Sequence, residues 1–120
     1  EEEMLEEQRK LVRIIAELTM FFLEIGADHI SSNVEKVGRK GKLSFRADYK
    51  PGCEDKLEEL QKCLSEQRND GIEDIYWELA GSGNHGQTTQ LLLVGMMIDR
   101  AEVSIKDGFV ELTLHKELRE

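Results

Sequence analysis

GSGNHG-QTTQLLLVGMMID-RAEVSIK-DG-FVELTLHK, residues 81–116, is the stretch whose reading decides the fold. Asp107-Gly108 is the dipeptide favoured in a two-residue type I′ turn, because both central positions need φ > 0. With those two residues as the loop, Ile105 faces Val110, Val103 faces Leu112 and Ala101 faces Leu114, all on one side of the ribbon. Glu102, Ser104, Glu111, Thr113 and His115 fall on the other side. Turn chemistry and alternation select the same register independently. Just upstream, residues 89–99 predict a helix that is apolar nearly all round, from Leu91, Leu92, Leu93 and Val94 to Met96, Met97 and Ile98. A helix of that kind must be buried on most sides. It is the natural cover for the apolar face of the hairpin beside it.

Working outward, residues 28–49 predict a second hairpin. Leu43, Phe45, Ala47 and Tyr49 alternate with Ser44, Arg46 and Asp48, and a less regular partner strand lies near 30–37. The connecting turn is Gly38-Arg39-Lys40-Gly41, and Pro51-Gly52 closes the second strand. Lys36, Arg39, Lys40, Lys42, Arg46 and Lys50 crowd this region, six of the chain's 16 basic residues. A solvated turn is the plain reading of that cluster; contact with a phosphate or an acidic partner is the alternative. Residues 53–68 predict a helix with Leu57, Leu60 and Leu64 on one face, and 72–80 a shorter one opened by Asp70 and Glu73 as a capping box. Tyr76 and Trp77 in that shorter helix read as packing residues.

Residues 1–27 predict one long helix. Leu11, Ile14, Leu18, Phe21 and Ile25 form a stripe at 3-4 spacing, and Val12, Ile15, Thr19 and Phe22 form a second stripe beside it. The mostly charged first ten residues read as a solvated helical extension. The sharper alternative has them pair with a second copy through Met4, Leu5 and Leu11, or join an upstream domain. The element order is then helix, two strands, two helices, loop, helix, two strands. That is an α+β fold: a single-layer, mostly antiparallel four-stranded sheet of two hairpins, with helices on one face.

A chain of 120 residues is sized for one domain. Its 25 acidic and 16 basic residues, net −9, argue against a nucleic-acid binder. Cys53 and Cys63 are too few for a disulfide framework and lack partners at metal-ligand spacing, which points to a reducing cytoplasm. Neither cysteine has a His-Asp pair near it in sequence, so a nucleophilic hydrolase is unsupported. No apolar run reaches the ~18 residues of a membrane span. Beginning at Glu1 rather than Met, the chain is compatible with being a piece of a longer polypeptide.

The layout resembles the ATP-binding domain of sensor histidine kinases and anti-sigma-factor kinases, the GHKL or Bergerat superfamily. Leu93-Val94-Gly95-Met96-Met97-Ile98-Asp99-Arg100-Ala101-Glu102-Val103 resembles the helix after that family's second glycine box and the strand it leads into. Phe21-Phe22-Leu23-Glu24-Ile25-Gly26-Ala27-Asp28-His29 resembles its N-box helix, where a glutamate precedes an asparagine by four residues. The resemblance implies a role in bacterial signalling with ATP and magnesium as ligands. It places Glu24 as the water-activating base and Asp28, in place of the asparagine, on the metal. It places Asp48 on adenine, with Gly52, Gly81, Gly83 and Gly86 as the glycines that approach phosphates. The chain departs from the family at Lys50-Pro51, where the first box needs a glycine, and at Thr88 and Gln90, where an ungapped second box would have glycines. None of His29, His85 and His115 lies in a phosphoacceptor-like helix.

Three expectations follow. The first is a GHKL-like domain with an eroded nucleotide site that has lost catalysis and serves as a signalling or dimerisation module, with ATP and magnesium or no cofactor as equal alternatives. The second is a working nucleotide-binding domain. The third is a homodimeric, non-catalytic α+β binding module unrelated to ATPases, joined to a second copy or a partner protein through its first helix.

Overall fold

The computed structural model describes residues 2–65 and 87–118. The expectations placed on 72–80, on Tyr76 and Trp77, and on Gly81, Gly83 and Gly86 lie outside the described residues. Helix α1 spans Glu2–Glu24, strand β1 Ile30–Val37, β2 Lys40–Asp48, helix α2 Glu54–Leu64, helix α3 Gln87–Met97, strand β3 Arg100–Lys106 and β4 Phe109–Glu117. All the strand pairings are antiparallel, in the order β1-β2-β4-β3. The fold is the expected α+β arrangement of two hairpins in one open sheet.

The second hairpin has the anticipated register, with Ile105 opposite Val110, Val103 opposite Leu112 and Ala101 opposite Leu114. Asp107 and Gly108 both carry positive φ, at 54° and 81°, as a type I′ loop requires. The first hairpin is tighter than expected. Lys36 pairs with Gly41 and Val37 with Lys40, leaving Gly38-Arg39 alone as the loop.

The two hairpins join through β2 and β4. Leu43 lies opposite Leu114, Phe45 opposite Leu112 and Ala47 opposite Val110, and all six are buried. Onto this strip α1 lays Leu11, Ile14, Leu18, Phe21 and Ile25, the stripe read from the 3-4 spacing. Phe22 from the second stripe joins them, its ring 6.1 Å from that of Phe45. Each large side chain contributes on the order of 1.5–3 kcal/mol by leaving water, so the core is concentrated beneath the two central strands. The edge strands are barer. On the same face Val34 of β1 and Ile105 of β3 remain exposed. The rest of the second stripe turns outward: Ile15 and Thr19 are half-buried and Val12 is exposed.

From Leu91 on, helix α3 is buried on most sides, as an all-round apolar helix must be, through Leu91, Leu93, Val94 and Met97, and Ile98 just beyond it is buried as well. It packs so closely on α2 that a Cβ added at Gly95 would lie 2.1 Å from the Cys63 carbonyl oxygen. The missing side chain is what lets the two backbones meet.

Within the charged start of α1, Glu6, Gln8 and Arg9 are exposed as a solvated extension would be, but Glu7 and Lys10 are not. Glu7 and Lys10 are each only 3 % exposed, and so is Lys116 of β4 at 2 %. The Lys10 ammonium lies 3.3 Å from one Glu7 oxygen and the Lys116 ammonium 3.9 Å from the other. Lys116 Nζ also donates to the Met97 carbonyl at 2.8 Å, near the C-terminal end of α3 where a cation suits the helix dipole. This cluster ties α1, α3 and β4 together.

Two substitutions test this packing. Gly→Ala inside a helix ordinarily gains up to about 1 kcal/mol, but Gly95→Ala should destabilise by about 1–3 kcal/mol because the methyl meets backbone rather than a flexible side chain. Glu7→Ala should cost about 3–5 kcal/mol, since it removes a carboxylate from between two buried ammonium groups. Urea unfolding of each variant against wild type checks both.

Candidate functional site

Of the positions that the resemblance assigns to nucleotide and metal, Asp28 and Asp48 come together where α1 ends and β2 meets the start of β1. Helix α1 closes with the Gly26 amide donating to the Leu23 carbonyl and the Ala27 amide to the Phe22 carbonyl, a Schellman arrangement. The chain then turns into β1 beside the end of β2, which brings Asp28 next to Asp48. Glu24 is exposed on the last turn of α1, and Gly52 follows in the turn before α2.

The partners of the two aspartates are set within this turn. The backbone amides of Asp28 and His29 both donate to Asp48 Oδ1, at 2.8 and 3.0 Å. Chiefly through the His29 amide, and then that of Asp28, this holds the Asp48 carboxyl below its ordinary value of 3.8. Lys50 Nζ donates to Asp28 Oδ2 at 2.7 Å, and that hydrogen bond raises the lysine pKa. The Lys50 stem crosses Gly26, where a Cβ would lie 2.4 Å from its Cγ. Asp48, Asp28 and Lys50 thus form a latch that pins the α1–β1 turn to the end of β2. Gly52 donates its amide to the Glu54 carboxylate at 3.1 Å.

Glu24 faces a different space. A cavity of about 250 Å³ lies among Phe21, Glu24, Ile25, Cys53, Lys56, Glu59 and Leu91, between the ends of the three helices. The Cys53 thiol donates to the Ile25 carbonyl there at 3.3 Å. Asp28 and Asp48 are not among its lining residues. The structure therefore joins Asp28 with Asp48 and sets Glu24 apart on the helical side. A magnesium ion at Asp28 would share the carboxylate with the Lys50 ammonium on Oδ2. Among the described residues no three His, Cys, Asp or Glu side chains are grouped to hold a metal ion.

Part of the basic cluster of the first hairpin faces acidic neighbours across the sheet. Arg46 lies 3.5 Å from Glu111 and stacks 3.9 Å above the Phe109 ring. Lys40 stands in register with Glu117, and Lys42 with Glu35 on one side and His115 on the other. Next to them Glu102 accepts from His115 Nε2 at 2.9 Å and pairs with Arg100 at 3.4 Å. The His115 hydrogen bond, and then the Arg100 charge, lower the Glu102 pKa. An open concavity of about 440 Å³ over this end of the sheet holds both signs of charge, with Lys40, Lys42 and Arg100 facing Glu35, Asp99 and Glu117.

Sequence reasoning missed Lys50 as a partner of Asp28. The signal was present in the lysine that stands where the family's first glycine belongs. No helix of the described residues is long and apolar enough to cross a membrane. Compared with protein-family models, curated proteins and solved structures, the chain matches none.

The latch makes a pH prediction with a definite sign. Folding lowers the Asp48 pKa, so its stabilising contribution is full above about pH 4 and is lost as pH falls through the depressed value. Asp48→Asn keeps an oxygen acceptor but not the charge. It should be less stable than wild type at neutral pH, with the gap closing on acidification, in urea melts repeated at stepped pH. A gap that stays constant with pH would show that the carboxylate is not latched as described.

Proposed function

We propose that this chain is a GHKL-like domain of bacterial cytoplasmic signalling whose nucleotide-site positions have passed to structural use, and which works as a non-catalytic interaction module. The observation that carries the reading is the latch. Asp48, the residue that would read adenine, has an oxygen engaged by two backbone amides, and Asp28, which would hold magnesium, is paired with Lys50. This pairing supports the reading, because a protein cation already neutralises the carboxylate assigned to the metal. The departure from glycine at position 50 and the ion pair are one change: the side chain that spoils the first glycine box is the one that neutralises Asp28.

Two further observations support it. The cavity beside Glu24, at about 250 Å³, falls below the ~300–1,000 Å³ usual for small-molecule sites. The two thiols are unlinked, which suits a reducing compartment. With a net charge of −9 the module's partner is a protein rather than a nucleic acid, met through α1. A second reading, a homodimeric α+β binding module with no ATPase ancestry, draws on the apolar outer side of α1 and shares that surface with the first.

Isothermal titration of the chain with Mg-ATP distinguishes these from a working nucleotide domain. No saturable heat is expected up to about 1 mM, and a Kd below that, equivalent to more than about 4 kcal/mol of binding, would overturn the reading.

A further inference from the structure

Strand β1 is an edge of the sheet, with no strand on its outer side among the described residues. Its hairpin loop is two residues long, so Val37 and Lys40 form the hydrogen-bonded pair that closes it. Alternation then turns the backbone groups of Ser31, Asn33, Glu35 and Val37 toward β2, and those of Ile30, Ser32, Val34 and Lys36 toward the open edge. The bond from the Asp48 amide to the His29 carbonyl agrees, since His29 has the parity of the set that faces β2.

A row of amides and carbonyls of this kind is a template for another extended chain, and charged side chains, proline or a bulge ordinarily blunt it. The other edge strand, β3, carries Arg100, Glu102 and Lys106. β1 carries no charge from Ile30 to Val34, has no proline and pairs with β2 without a bulge. Every residue after Ile30 is exposed, with Val34 at 47 % on the inner face. Leu11, one of the residues expected to pair with a second copy, is instead in the core, so a contact between copies does not lie where the sequence put it.

The side chains of β1 specify which chain fits. Directly opposite residues of an antiparallel pair share a face, so a two-fold axis through a new ladder must fall on a residue. On Glu35 it would set two carboxylates against each other, and on Asn33 it would leave Val34 against Ser32. On Val34 it sets the two valines together, Asn33 against Glu35 and Ser32 against Lys36. No like charges then stand directly opposite, and each exposed valine covers the other. The Asn33 side-chain amide reaches Glu35 Oε1 of its own strand at 3.3 Å, and it has a second N–H for the Glu35 of the other copy. The match is of β1 with itself, which an unlike peptide has no reason to share.

We propose that β1 pairs antiparallel with β1 of a second copy about a two-fold axis at Val34, joining the two sheets into one. The same edge serves both copies, so the contact closes on itself and does not grow into a fibre. One strand is a small contact, and the dimer is a weak one with a Kd on the order of 100 μM. The inference goes beyond the interaction-module reading, because it rests on the sheet edge and on neither the latch nor α1. ATP titration therefore leaves it untouched.

Amide hydrogen exchange followed by NMR tests it directly. Between about 50 μM and 1 mM the Ser32, Val34 and Lys36 amides should slow by about threefold, as mass action on such a dimer requires. The Asn33 and Glu35 amides, already bonded to β2, should not change. In sedimentation velocity over the same range, Val34→Lys should weaken association at least about tenfold without moving the thermal melt, since it sets two ammonium groups opposite each other on an exposed edge. Ser32→Glu should tighten it roughly two- to tenfold by facing Lys36 of the other copy. A wild type still monomeric at 1 mM would overturn the proposal and leave the edge to an unlike strand. So would a dimer whose formation leaves the three edge amides exchanging as before, one indifferent to Val34→Lys, or one that Ser32→Glu fails to tighten.

Discussion

The pairing of β2 with β4 is the constraint on which the structure depends. Each hairpin can form locally around its own two-residue loop, but neither alone has an apolar face large enough to be stable. Setting Phe45 opposite Leu112 and Leu43 opposite Leu114 joins residues far apart in sequence. It creates the one strip of sheet wide enough for α1 to bury Leu18 and Phe22 against. The edge strands gain less, which is why Val34 and Ile105 stay exposed although they lie on the inner face. Everything else is hung on the central pair: the latch holds the far end of β2 through Asp48, and the buried charges hold the far end of β4 through Lys116.

The buried cluster shows how such a small domain fixes the seating of its first helix. Apolar packing of α1 on the sheet tolerates some sliding, because one leucine can replace another in contact. A carboxylate between two ammonium groups does not, since displacement leaves charge in a place water does not reach. Glu7 meets Lys116 in one arrangement of α1 on β4, and Lys116 in turn meets the last carbonyls of α3. An ion cluster of this kind is a weak source of stability and a strong determinant of placement.

How much of this the sequence discloses depends on how local each feature is. The register about Asp107-Gly108 is legible because turn chemistry and alternation lie within a dozen residues and agree. The core stripe of α1 is legible for the same reason, as a periodicity. Burial of Glu7, Lys10 and Lys116 was also encoded, though composition hides it. Lys116 continues the inward parity of Val110, Leu112 and Leu114, and Glu7 lies on the helical face of Ile14 and Leu18. Reading charge as solvation overrode the period. What no local pattern carries is which strand of one hairpin pairs with which of the other, and hence that Asp48 comes within reach of the Asp28 and His29 amides. The resemblance gives Glu24, Asp28 and Asp48 separate roles as base, metal ligand and adenine reader; their contacts set the two aspartates in a turn latch and Glu24 beside a helical cavity.

The two faces of α1 follow from the same geometry. A helix covering a four-stranded sheet whose core lies under its two central strands needs one stripe, about as wide as Leu11, Ile14, Leu18, Phe21 and Ile25 make it. Residues on the far side then answer only to solvent, where valine, methionine and leucine gain nothing over lysine or glutamate and cost solubility. Val12, Met20 and Leu23 nonetheless stand exposed there, so their apolar character is not explained by the packing of α1 on the sheet.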